Sequence, residues 1–292
     1  MRRIIEKTVF GVSWVSVFLL VTALFFMLAY LMHRGSGVLG KGLIFGNVSP
    51  IDALLLKRQV FNGLFPAVMG TFALVLLAVA FAVPVGLAAG IYMAEYCHGW
   101  IRQVLTVLFD ILAGLPSIVV GLAGFSFTII LHRAFPGRLG PCLLISSLAI
   151  GFLILPYLIR STQMALESVS LSLRLTAPAL GATRLQNIRY VLLPTRLPDI
   201  LSGVILAIGR AAEDTAVIML TGVVASAGLP RSIFEQFEAL PFYIYYISSQ
   251  YTNPEELQMG FGAAILLLTV CAVLFLSAFL IEQAISWRLR RY

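Results

Sequence analysis

Charge is what this chain has least of. Asp, Glu, Lys and Arg make up 11% of its 292 residues, against 60% hydrophobic residues and a mean hydropathy of +0.98. A soluble domain has no means of covering its surface with so few charges. Cysteine is scarce as well. Cys97, Cys142 and Cys271 show no CxxC spacing, and His33, His98 and His132 fall in separate loops or span ends, so neither a disulfide framework nor a metal site is suggested. There is no HExxH motif, no nucleophile and base set and no obvious internal repeat, which argues against a membrane-embedded enzyme and gives no support to a repeat-built carrier. The run GSGVLGKG at 35–42 follows a phosphate loop as far as Lys41. Gly42 then stands where the magnesium-holding Ser or Thr belongs, and no strand of a βαβ unit precedes it. The chain is therefore not expected to hydrolyse ATP by itself, and no cofactor is expected on it.

Long apolar runs are what the chain does have. Crossing a hydrocarbon core of roughly 30 Å takes about 20 helical residues, and six runs qualify, at about 9–31, 66–94, 104–131, 141–163, 198–224 and 259–286. The expected fold is an all-α polytopic membrane protein. The first run follows Arg2, Arg3 and Lys7 as a secretory signal would, but it is about twice the length of a signal core and no convincing small-residue cleavage site follows. It is kept as an uncleaved span.

A net charge of +7 raises the question of nucleic acid. The basic residues lie beside apolar segments, however, where topology accounts for them and no nucleic-acid partner is implied. With the N-terminus inside, the cytoplasmic segments hold Arg2, Arg3, Lys7, Arg102, Arg160, Arg174, Arg184, Arg189, Arg196, Arg288, Arg290 and Arg291. The outer segments hold Arg34, Lys41, Lys57, Arg58, Arg133, Arg138 and Arg231, seven against twelve. Both termini are expected on the cytoplasmic side of a bacterial inner membrane.

The spans differ in texture. Residues 66–94 and 111–124 carry Pro84, Gly86, Gly90, Gly114, Pro116, Gly121 and Gly124, the composition of helices that approach closely or bend. The first span, with Phe18, Phe25 and Phe26, is bulky all round and is expected at the lipid-facing periphery. Two units follow: 1–64, a peripheral helix with an outer loop, and 65–292, a core of five spans.

One arginine, Arg210, interrupts the fifth run, with Glu213 and Asp214 three and four positions later. A charge near the bilayer centre costs on the order of 3 kcal/mol or more and by default marks a pathway. At i+3 and i+4 the carboxylates can neutralise Arg210 on the same helix face; the alternative is a purely structural ion cluster. Arg160 stands where topology alone would put an arginine. Asp110 and Glu95 read as helix-end or loop-pairing residues.

The stretch 164–197 is amphipathic at helical spacing and breaks at Gly181, which predicts two short helices with a glycine elbow. Such a pair either lies on lipid or docks a cytoplasmic partner. Here the motifs APALGAT at 177–183, VLLPTRLP at 191–198 and ILSGVILAIGR at 200–210 resemble the coupling loop of type I ABC importer permeases. With GLAAGIYMAEY at 86–96, DILAGLPSIVVGL at 110–122 and LPYLIRST at 155–162, the chain is most similar to the phosphate-specific permeases of the PstA type, over roughly 66–286.

That resemblance implies an oxyanion path lined by Arg210, Glu213, Asp214 and Thr215, with Arg160 at its cytoplasmic end. It also implies a coupling loop that includes Leu175, Ala177, Ala179, Leu180, Gly181, Ala182, Arg184 and Pro194. The implied partners are a homologous permease (PstC type), a dimer of ATP-binding subunits (PstB type) that use ATP and Mg, a phosphate-binding protein (PstS type) and membrane lipid. Two departures stand out. Leu175 replaces the loop's usual Glu, and the family's Arg-x-x-Gly-Glu-Thr pattern reads Arg210-Ala-Ala-Glu-Asp-Thr215. Molybdate, tungstate, sulfate or a phosphonate would also suit an arginine-lined path, and an ion-coupled carrier remains the alternative from another class.

Overall fold

The computed structural model describes residues 2–54, 60, 63–135 and 140–289. Lys57, Arg58, Arg138, Arg290 and Arg291, counted in the charge asymmetry, lie outside the described residues. Helix α1 (Arg2–Gly35) leads through a 3₁₀ turn to α2 (Lys41–Phe45) and α3 (Pro50–Leu54). Then come α4 (Phe65–Ile91), which ends in a π turn (Tyr92–Tyr96), α5 (Gly99–Ala113), α6 (Ser117–Ala134) and α7 (Leu143–Glu167). The short α8 (Leu171–Ala179) and α9 (Arg184–Asn187) precede a second π turn (Ile188–Leu192), α10 (Leu193–Glu213), α11 (Ala216–Thr221), α12 (Leu240–Gln250) and α13 (Pro254–Leu289). Among the described residues, six helical stretches are long and apolar enough to cross a membrane: 6–38, Phe65–Tyr96, Ser117–Ala134, Leu143–Glu167, Arg184–Glu213 and 254–285.

Helix α1 stands apart from the core, its apolar window unburied and its main packing partner α13. It meets α13 where Gly35 leaves no room for a side chain, since a Cβ there would lie 2.5 Å from Ile265. The core is built on α4 and α7. Gly86 and Gly90 let α4 press against Leu158 and Thr162 of α7, with a Cβ on Gly90 falling 2.5 Å from that of Thr162. Close backbone approach through small residues is how helices gain packing energy where lipid offers no hydrophobic driving force. Most of α7's apolar window is buried, which makes it the central helix of the bundle.

Two expected spans are interrupted. The third breaks at Gly114-Leu115-Pro116, so the run taken as 104–131 is an amphipathic α5 followed by α6. Pro116 has no N–H to continue the ladder and disfavours a helical Leu115. The fifth, taken as 198–224, stops at Glu213 because Asp214 turns extended (φ −73°, ψ 121°). Asp214 Oδ1 then accepts from Val217 N at 2.9 Å and starts α11. The interrupted spans pack against each other, with Gly121 of α6 against the Ala216 carbonyl and Gly124 against Thr221. The loop taken as 164–197 is also shorter than expected: 164–167 finish α7, and from 184 onward the chain is helical to Glu213.

Candidate functional site

A cavity of about 600 Å³ opens between the end of α5, the second half of α7, α10 and α13. Its lining includes Ala113, Tyr157, Arg160, Ser161, Gly203, Gly209, Arg210, Glu213 and Phe275. The small residues make the space. Gly203 lies against Ser161 and Gly209 against the Phe275 ring, and a Cβ at either would clash. Irregular or interrupted helices at membrane depth persist where they line such a cavity.

Arg210 reaches this cavity from the last turn of α10. Its guanidinium carbon sits 5.2 Å from the centroid of the Tyr157 ring, and its buried Nε has no hydrogen-bond partner. Tyr157 is itself held by its hydroxyl, which donates to the Ala113 carbonyl at 3.1 Å, just before the break between α5 and α6. The expected neutralisation by the acidic pair is not what the structure contains: among the described residues no ion pair within 4 Å joins Arg210 to Glu213 or Asp214. Asp214 is engaged in capping α11, while Glu213 is exposed and shares the cavity lining with Arg210. The helix ends between the two acids, and that bend sends their carboxylates to different places. A cation over an aromatic face keeps its charge and its edge donors, which a carboxylate partner would occupy. Thr215 takes no part in the lining, and its carbonyl accepts the Met219 N–H in the first turn of α11.

Arg160 is partnered. Its Nε donates to Asp110 Oδ1 at 3.0 Å and its Nη1 to Gln163 Oε1 at 3.3 Å. Gln163 Nε2 donates to Glu167 at 2.8 Å, and Arg102 Nη2 reaches the same oxygen at 2.7 Å. The ladder ties α5 to α7 and borders a second cavity of about 500 Å³ lined by Arg102, Gln103, Thr106, Arg160, Gln163 and Glu167. Arg160 belongs to both linings and marks the boundary between the cavities.

The predicted glycine elbow is present. Gly181 takes φ +86° with open space around it, a left-handed turn that costs any other residue strain. Thr183 and Gln186 form a capping box that starts α9. Leu175, Leu180 and Leu185 point outward at 54%, 85% and 65% exposure. Ala179 and Arg184 are exposed, Ala177, Ala182 and Pro194 half-buried. The guanidinium of Arg184 lies 5.1 Å from the Tyr96 ring centroid.

Sequence reasoning did not single out Tyr157, Arg174 or Asn187. Tyr157 lies one helical turn before Arg160 in the LPYLIR motif, a usable signal. Arg174 pairs with the buried Glu95, 79 positions earlier, and a pairing at that separation has no local signature.

The model of the family described as "Binding-protein-dependent transport system inner membrane component" matches residues 86–287. The phosphate transport system permease protein PstA 1 of Mycobacterium tuberculosis is 35% identical over 242 residues, 81% of this chain and 75% of that protein. The PstA protein of Haemophilus influenzae is 30% identical over 280 residues, 95% and 94% of the two chains. Among solved structures, a bacterial alginate ABC transporter aligns with a TM-score of 0.64 at 17% identity, covering 94% of this chain and 95% of that one. The MetNI methionine ABC transporter aligns at 0.60 and 20% identity, covering 82% and 99%. Such structural likeness speaks for the fold, that of type I ABC importer permeases.

Proposed function

We propose that this chain, which belongs to the family of binding-protein-dependent transport system inner membrane components, is the permease subunit of an ATP-driven importer for inorganic phosphate. The observation that carries this reading is Arg210, a cation in a cavity of about 600 Å³, over Tyr157 and, among the described residues, without an acidic partner within 4 Å. A planar fork of donors suits the oxygens of a tetrahedral anion. The names of the relatives supply the substrate.

The cavity is one half of a path whose other half is a homologous permease. Arg210 holds the anion, Glu213 adds a negative group beside it, and Arg160 receives the anion at the cytoplasmic end when Asp110 gives way. Asp214 and Thr215 form the hinge that aims α10 at the path. Residues 65–292 are the permease core, and 1–64 add a peripheral span and an outer loop. Leu175, Ala179, Leu180 and Arg184, turned around Gly181 with the half-buried Ala177 and Ala182 beside them, form the face that meets an ATP-binding subunit. Pro194 begins the helix that leads back into the membrane. ATP and Mg belong to that subunit, and a binding protein delivers the anion from outside. With α8 and α9 cytoplasmic, both chain ends are cytoplasmic too. ATP binding closes the ATPase pair and moves the coupling helices, and the path reorients around Arg210.

The test is uptake of radiolabelled phosphate by cells that carry this chain with its ATPase, partner permease and binding protein, in competition with molybdate or sulfate. ATP-dependent uptake that excess molybdate and sulfate leave unchanged supports the reading. Uptake of another oxyanion in its place keeps the machine and replaces the substrate.

A further inference from the structure

The replacement of the coupling loop's usual acidic residue by Leu175 raises the question of how this loop transmits force to the path. Resting on the reading above, we propose that the π turn Tyr92–Tyr96 at the end of α4 is the receiver of the coupling loop's motion, with Glu95 and Tyr96 as positioning residues that grip one coupling helix each.

Glu95 is buried, at 6% exposure, and its carboxylate pairs with Arg174 of α8. The same guanidinium donates through Nη2 to the Leu166 carbonyl in the last turn of α7, at 2.6 Å. Arg174's own carbonyl accepts from Asn187 Nδ2 at 3.0 Å, so one residue joins α4, α7, α8 and α9. Tyr96, the next residue, lies under the Arg184 guanidinium of α9 and stacks on Tyr92, rings 6.3 Å apart and 12° from parallel.

The inner side of the turn packs on α7, the helix whose Tyr157 and Arg160 line the cavity. Met93 and Cys97 are buried with Ile159 of α7, and Ile159 immediately precedes Arg160, two positions after Tyr157. A shift of α8 and α9 is therefore handed to the turn by an ion pair and a cation–ring contact. It is passed to α7 through close-packed side chains, which transmit displacement because cores are nearly incompressible. A buried ion pair that loses one partner leaves the other uncompensated, so the joint resists parting during the stroke. The turn carries the wide i to i+5 bond, Cys97 N to Tyr92 O at 2.9 Å, and π turns are often found at functional positions.

The experiment compares the reconstituted full transporter carrying Glu95→Gln, Tyr96→Leu or Tyr96→Phe, reading phosphate moved per ATP hydrolysed, with assembled complex quantified in the same vesicles. Glu95→Gln and Tyr96→Leu are expected to lower that ratio at least about fivefold, the low end of coupling between linked sites, with ATP hydrolysis per complex retained. Tyr96→Phe, which keeps the ring, is expected to match wild type. A purely structural joint would lower transport and hydrolysis together by reducing assembled complex and leave the ratio unchanged, and that result overturns the proposal. If Glu95→Gln does not assemble, Tyr96, at 41% exposure, decides alone through its Leu and Phe variants. A wild-type complex that hydrolyses ATP without moving phosphate would overturn the substrate reading instead, and the ratio is then taken with the anion that is moved.

Discussion

Replacing Arg210 by Gln removes the charge while leaving a side chain that still fits the cavity. Among the described residues the guanidinium has no ionic partner within 4 Å, so its full charge is available to an anion. Two unit charges at about 4 Å interact by about 4 kcal/mol at an effective dielectric of about 20. At about 1.4 kcal/mol per decade that is on the order of a thousandfold in the occupancy of the path. Arg210→Lys keeps the charge as a single point and loses the fork and the stacking on Tyr157, so it is expected to fall between wild type and Gln. The assay is ATP-driven phosphate uptake in proteoliposomes that contain the complete transporter, normalised to assembled complex by immunoblot. Uptake by Arg210→Gln above about a tenth of wild type would refute the argument, because a path that depends on this charge cannot lose about 4 kcal/mol and continue at that rate.

Asp214→Ala should cost about 1 kcal/mol through loss of the α11 cap, with Asp214→Asn restoring it; thermal unfolding in detergent reads both, and a change in anion selectivity without a change in stability would contradict the capping role. Gly90→Ala places a Cβ 2.5 Å from Thr162 Cβ and 2.9 Å from the Ile159 carbonyl, and should destabilise the bundle by about 1–3 kcal/mol, which the same melts measure. Glu238, in the loop before α12, has its carboxyl raised from 4.5 by burial, partly offset by the N–H groups of Gly228 and Ala227. Because the folded value lies above the unfolded one, its contribution to stability is fully present below the unfolded value and is lost as pH rises through the folded one. The melting midpoint should therefore fall as pH is raised from 4.5 toward neutrality, and Glu238→Gln, which keeps a carbonyl acceptor, should flatten that slope; equal slopes for the two proteins would exclude Glu238 as the cause.

Several features were legible in the chain itself because they depend on neighbours in sequence. Hydropathy is a local sum, so all six apolar runs correspond to helical segments. The elbow at Gly181 followed from a glycine between two amphipathic stretches, since that backbone turn is set by one residue's steric freedom. The two interruptions were less legible. Gly114-Leu115-Pro116 carried a breaker signal, but Asp214 breaks the fifth span as a single residue whose carboxylate accepts the Val217 N–H of α11, a local bond that competes with the helix ladder.

Tertiary structure alone decided which charges meet. Spacing of three and four along a helix put Glu213 and Asp214 within reach of Arg210, yet the helix ends between them. Arg160 finds Asp110 across 50 residues and Arg174 finds Glu95 across 79. In a bundle of low polarity each buried charge takes whatever partner the packing of distant helices brings to it, and those distances are fixed by glycine contacts such as Gly90 on Thr162. The sequence determined that six stretches are long and apolar enough to cross a membrane and that the chain turns at Gly181. The packing of α4, α5, α7 and α10 decided that Arg160 is held by a carboxylate while Arg210 rests on a ring with its charge unspent.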